Sequence, residues 1–193
     1  MEQTINNYKT DVMDFCEKIN ADDLKKVCQI ILDAYRSKKR IFVAGNGGSA
    51  GTANHFCCDF GKNAVHSETD RPKIISLSAN MEVVTALGND FCYGDIFVEQ
   101  LKNLMEDGDV ILLISASGNS ENIVRAAKYV KSRNGSVIGF TGFAGGKLHE
   151  LADIGINVPS DSYEKVEDLH MVLCHIIVCC FKTMNLGGHH DQI

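Results

Sequence analysis

Five short apolar, β-rich runs, separated by segments of helical period, constrain this chain more than any other feature. They lie at residues 41–44 (IFVA), 73–77, 110–114, 136–140 and 154–158. Helical patterns fill the intervals at 49–60, 81–87, 96–105, 120–132 and 147–151, and a last one runs from about Tyr163 to Met184. Strands apolar along their whole length are buried on both faces, and strands alternating with helices join in parallel. The pattern therefore predicts an α/β domain with a doubly wound, five-stranded parallel sheet. Ahead of it, residues 4–36 keep a helical period through Val12, Phe15, Ile19, Leu24, Val27, Ile31 and Tyr35. Asn20-Ala-Asp-Asp supplies a break and a fresh N-cap, so two helices are expected.

Nothing in the composition divides the chain. Pro72 and Pro159 are its only prolines and neither sits in a linker, so residues 1–193 read as one domain. Residues 1–39 are a helical segment packing on the sheet or on a neighbouring subunit. A formal charge of −6 argues against a nucleic-acid surface. The basic run Arg36, Lys38, Lys39, Arg40 reads as a solvated helix end. The polar start MEQTINNYKTD is no signal peptide, and no apolar run nears the ~20 residues that span a bilayer. The eight cysteines lack zinc-ribbon spacing and lie mostly in apolar periodic segments, as small buried hydrophobes in a reducing cytoplasm. No membrane partner and no nucleotide cofactor are indicated.

In doubly wound sheets ligands bind beyond the carboxyl ends of the strands, where strand order reverses. Two such ends carry unusual loops. GNGGS (45–49) lacks the third glycine of a dinucleotide fingerprint and the lysine of a P-loop, yet a small-residue turn into a helix offers backbone N–H groups. SASGNS (115–120) places the hydroxyls of Ser115, Ser117 and Ser120 at a helix start without a cation. That suits a phosphate monoester on a neutral scaffold, and equally a serine cap on a turn. His55 and Asp59, at i and i+4, share one helical face, and imidazole with carboxylate suits zinc. On the last helix Glu167 and His175 are separated by ~12 Å of rise and about 80° of rotation. His170, at i+3 from Glu167, is a geometric rival as ligand, and a histidine on so apolar a helix is also a natural core residue.

Together these motifs resemble the sugar isomerase (SIS) domain, a flavodoxin-like fold, and most of all its phosphoheptose isomerases. The likeness rests on GNGGS, GNDF at 88–91, DIF at 95–97, S-x-SGNS, TG…GGK at 141–147 and the closing helix with spaced histidines. The resemblance implies an aldose–ketose isomerase that converts sedoheptulose 7-phosphate to glycero-manno-heptose 7-phosphate for surface-polysaccharide heptose synthesis (lipopolysaccharide or capsule). It implies a phosphate cradle at Ser115, Ser117 and Ser120, and sugar contacts at Asn46, Gly47, Ser49, Asp90 and Glu164. Proton transfer falls on Asp59 and His175, with Glu167 as the alternative base if Asp59 is a ligand. One zinc per subunit is implied among His55, Asp59, Glu167 and His175, in a homotetramer whose sites lie near subunit interfaces.

The chain departs from the family at several of these positions. Ala116 stands where threonine is usual, Asp59 for a glutamate, Glu167 for a glutamine and Glu164 for an aspartate, and a family arginine is matched only by Asn63 beside Lys62. These changes leave open an isomerase for a different sugar phosphate, or a non-catalytic sugar-phosphate sensor or protein-binding regulator. A pure sensor needs the serine loop but not the ionisable set.

Overall fold

The computed structural model describes residues 1–64 and 69–184. In chain order the elements are α1 (Glu2–Lys18), α2 (Ala21–Arg36), β1 (Arg40–Gly45), α3 (Gly48–Asn63), β2 (Lys73–Ser76) and α4 (Met81–Asp90). A 3-10 turn (Tyr93–Asp95) then leads to α5 (Ile96–Leu104), β3 (Val110–Ser115), α6 (Glu121–Ser132), β4 (Ser136–Thr141), α7 (Gly146–Leu151), β5 (Ile154–Asn157) and α8 (Tyr163–Thr183). Every expected strand is present to within a residue at each end. The first two helices break where expected, because the Asn20 side chain accepts from the N–H groups of Asp22 and Asp23.

The five strands are all parallel, in the order β2-β1-β3-β4-β5. Side chains alternate across the sheet, so each all-apolar strand feeds two cores. Ile41, Val43, Leu112 and Ile114 face α2, α3 and α8, among Ile31, Phe56, Phe60, Leu173, Ile177 and Phe181. Phe42, Ala44, Ile111 and Leu113 face the other way, toward Ile96, Leu101, Ile123, Ala127 and Val130. At the amino edge the buried Asp109 carboxylate accepts from the N–H groups of Arg40 and Glu106, tying β1 to the turn before β3. Three of the four residues of the basic run are paired off at the same edge: Lys38 with Asp70, Lys39 with the Asp107 carbonyl and Arg40 with Glu106.

The chain reverses strand order between β1 and β3. Their register sets Gly45 beside Ile114, so the loops that follow leave the sheet side by side at the switch point. Helix α1 contributes no buried residue. It lies on α8, with the Tyr8 hydroxyl donating to Asp168 at 2.6 Å and Val12 and Phe15 against Val166 and Leu169. No described helix is long and apolar enough to cross a membrane. The tail histidines His189 and His190 lie outside the described residues.

Candidate active site

Helices α3 and α8 run in the same direction, side by side. Gly48 meets Glu167, His55 meets His175 and Phe60 meets Phe181, so two ladders of side chains stay roughly in step over more than three turns. This alignment gathers three of the sequence-predicted residues. His55 Nε2 lies 3.2 Å from Asp59 Oδ2, His175 Nε2 lies 3.4 Å from the same oxygen, and the two ring nitrogens are 3.3 Å apart. Both imidazoles are about half exposed. The buried edge-to-face contact of Phe60 with Phe181, at 4.8 Å between centroids, holds the helix pair together beyond the cluster.

These spacings test whether the residues suit a metal. A tetrahedron with ~2.0–2.1 Å from centre to corner, the zinc–nitrogen and zinc–oxygen range, has edges of about 3.3–3.4 Å. The three donor atoms already stand at such edges, and they form a group of potential metal ligands. Two imidazoles and a carboxylate with one face open also match the donor set of catalytic zinc sites. The residues therefore fit the ion.

Glu167 lies apart from this group. A Cβ on Gly48 would collide with its carboxylate, so the acid rests on the first turn of α3 in a space that only glycine leaves. Negative charge is favoured there by the helix dipole. His170 does not face the cluster. It is fully buried, its Nε2 is 3.0 Å from the Thr141 carbonyl, and burial pushes its imidazole down to about 4. Cys57 and Cys174 are packing groups beside the histidines. Burial pushes the Cys57 thiol up to about 12 and raises that of Cys174 as well, which opposes a thiolate ligand.

The serine loop folds into a tight cradle. The Ser115 hydroxyl and carbonyl both accept from Gly118 N–H, and the Ser117 hydroxyl accepts from Asn119 N–H. Gly118 has φ +62°, and a side chain there would strike the Gly145 carbonyl, so the loop after β4 forms its back wall. Ser120 is the N-cap residue of α6 by position, but its hydroxyl makes no capping bond. The simple reading of this serine as a helix cap is thus not realised, and its hydroxyl is left for another partner.

The first loop is tied to the second by a reciprocal amide pair. Asn46 Nδ2 donates to Asn122 Oδ1 and Asn122 Nδ2 donates to Asn46 Oδ1, each at 2.9 Å. The Tyr93 hydroxyl donates to the same Asn46 oxygen at 2.9 Å, and Ser78 Oγ donates to the Gly45 carbonyl. Asn46 is therefore largely occupied in holding the loops in register, and one of its N–H bonds is left for a ligand. Gly47 and buried Ser49 start α3 at this point. Asp90 closes α4 and accepts from Asn89, while Glu164, on the first turn of α8, accepts from Ser162. Among the described residues no hydrogen bond joins either acid to the two loops. Asn122, Tyr93 and Ser78 were not singled out in the sequence. Their partners are 33 to 76 positions away, and only Asn122, two residues beyond the serine motif, carried a local hint.

Residues 6–142 match the SIS domain family. The phosphoheptose isomerase of Colwellia psychrerythraea is 33% identical over 182 residues, 91% of this chain and 91% of that protein. That of Clostridium acetobutylicum is 35% identical over 173 residues, 89% of this chain and 87% of that one. Among solved structures, the phosphoheptose isomerase GmhA of Neisseria gonorrhoeae superposes with a TM-score of 0.84 at 28% identity, covering 93% of this chain and 97% of that one.

Proposed function

The chain belongs to the SIS domain family and, within it, to the phosphoheptose isomerases, and from that membership and the site geometry we propose that it interconverts sedoheptulose 7-phosphate and glycero-manno-heptose 7-phosphate. The observation that carries the reading is the convergence of His55, Asp59 and His175 on the paired faces of α3 and α8. A protein that only senses a sugar phosphate needs the serine cradle and not this set.

The phosphate takes the hydroxyls of Ser115, Ser117 and Ser120 at the start of α6, where the dipole favours an anion. The carbon chain then lies along α3, past Ser49 and Glu167. From Gly48 to His55 the helix advances ~10.5 Å. A phosphorylated seven-carbon chain, eight bonds from C1 to phosphorus at ~1.2 Å each when extended, spans about 10 Å. A chain anchored at the loops thus brings its carbonyl end to the histidine–aspartate set.

There the Asp59 carboxylate takes a proton from C1 of the ketose. The C–H electron pair becomes the C1=C2 bond and the carbonyl pair moves to the C2 oxygen, which takes a proton from His175. Loss of the C1 hydroxyl proton to His175 forms the aldehyde, and C2 recovers the proton held by Asp59. Asp59 meets both rings through Oδ2, and its second oxygen, Oδ1, is the one assigned to the carbon acid. Alternatively, His55, Asp59 and His175 would hold one zinc ion; bound there, it would occupy His175 Nε2 and supply Lewis acidity toward a carbonyl oxygen in place of that proton donor. A second reading gives the carbon proton to Glu167, favoured by its position against Gly48, clear of the histidines.

The same reading covers assembly and context. Helix α1, with no buried residue and with Ile5 and Met13 exposed, seats on a neighbouring subunit of a homotetramer. The enzyme works in the cytoplasm and feeds heptose to surface polysaccharide. A coupled turnover assay on sedoheptulose 7-phosphate tests the assignment. Asp59→Asn and His175→Ala are expected to lower kcat by ~10²–10⁴-fold, the usual worth of a positioned acid or base. Glu167→Gln as the only inactive variant would move the base to Glu167. Full activity in all three would remove the site.

A further inference from the structure

Histidine 170 is buried on every side, yet it is polar. Its Nε2 faces the Thr141 carbonyl at 3.0 Å, so that nitrogen carries the proton and Nδ1 is left as an acceptor with no partner among the described residues. Leucine would pack on the neighbouring Phe140 without stranding a polar atom in the core. Nor does the Thr141 carbonyl need the histidine to be satisfied, since it already accepts from Val158 N–H at 2.8 Å. The bond is therefore explained by what it orients.

Thr141 is the last residue of β4, and the chain turns there to form the back wall of the serine cradle. Gly142 N–H donates to the Ala116 carbonyl at 2.8 Å, Leu148 N–H to the Gly118 carbonyl at 2.9 Å, and Lys147 N–H to Asn119 Oδ1 at 3.1 Å. The turn is not relaxed: Phe143 has φ +49°, a conformation that a side chain adopts only when its surroundings enforce it. Around it the Thr141 hydroxyl donates to Asn157 Oδ1, and Asn157 Nδ2 donates to the Phe143 carbonyl. His170 holds the first peptide of this turn from the α8 side.

We propose that His170 is a positioning residue for phosphate, fixing the β4–α7 turn through the Thr141 carbonyl so that the turn in turn sets the serine cradle. It touches neither the phosphate nor the reacting carbons, and the proposal rests on the assignment of that cradle to phosphate. The side chain that can replace it is one with an N–H at the same reach: glutamine, and not asparagine or leucine.

The test compares His170→Gln, His170→Asn and His170→Leu with the wild type. KM and kcat are measured for sedoheptulose 7-phosphate, and binding of inorganic phosphate is measured separately by phosphorus NMR titration. Asparagine and leucine are expected to raise KM and weaken phosphate binding about tenfold, the cost of a misset contact, while kcat holds within about twofold. Glutamine is expected to restore most of the binding. Asparagine and glutamine have the same chemistry and differ in reach, so the comparison survives if leucine fails to fold. Equal binding by all three variants and the wild type, or equal losses in all three, would overturn the proposal. Wild-type protein that binds phosphate without turning over the sugar would refute the isomerase and leave this role intact. Wild-type protein that binds no phosphate would refute both.

Discussion

Protonation of His170 should dominate how this protein loses stability in mild acid. Burial holds its imidazole neutral down to about 4, against an ordinary value of 6.5 in the unfolded chain. Between those two values the unfolded state binds a proton that the folded state refuses, so stability falls as pH falls. It is at its full value above about 6.5, declines through the interval, and levels out below about 4. At ~1.4 kcal/mol per unit, a displacement of this size is worth about 3 kcal/mol. That is a large share of the ~5–15 kcal/mol that keeps a domain folded. His170→Gln has no such group. The assay is urea unfolding of wild type and variant at one protein concentration, stepped from neutral pH to about pH 4.5. Taking the difference between the two cancels every other titrating group. The wild type should lose about 2–3 kcal/mol relative to the variant over that range. Parallel curves would refute the claim that this imidazole is buried neutral.

Zinc should stabilise the chain by bridging α3 to α8, by about 2.7 kcal/mol at a hundredfold excess over its dissociation constant, and His55→Ala should abolish that rise in melting temperature. An equal rise in the variant would place the ion elsewhere. Ser117→Ala and Ser120→Ala should each weaken sugar-phosphate binding by roughly 10–100-fold, the ~1.5–3 kcal/mol of a hydrogen bond to a charged group, with little change in kcat. Steady-state kinetics would show it, and unchanged KM values would move the phosphate off this loop.

The fold was legible because its signals are local. Strands such as IFVA and VILLI are apolar throughout, and a helical period between them leaves few alternatives to a parallel sheet. The two loops were legible for the same reason, since glycines and serines at strand ends mark themselves. The pairing of His55 with Asp59 follows from a spacing of four. What joins His175 to that pair, 120 residues away, is the parallel alignment of α3 and α8, and no spacing within one helix encodes it. The separation of Glu167 from the group has the same origin: two turns above His175, it meets Gly48 and not His55. His170 illustrates the opposite case. Its spacing from Glu167 suited a ligand, but its face of α8 points into the sheet.

The central claim is that this chain moves a proton between C1 and C2 of a seven-carbon sugar phosphate. It is tested most directly by incubating sedoheptulose 7-phosphate with zinc-replete protein in deuterated water and following both carbons by NMR. The account predicts glycero-manno-heptose 7-phosphate, with deuterium at C2 to the extent that the proton held by Asp59 exchanges with solvent before its return, and ~10²–10⁴-fold slower formation with Asp59→Asn. Saturable binding of the ketose with no aldose formed would contradict the account and leave a protein that recognises the sugar phosphate without transforming it.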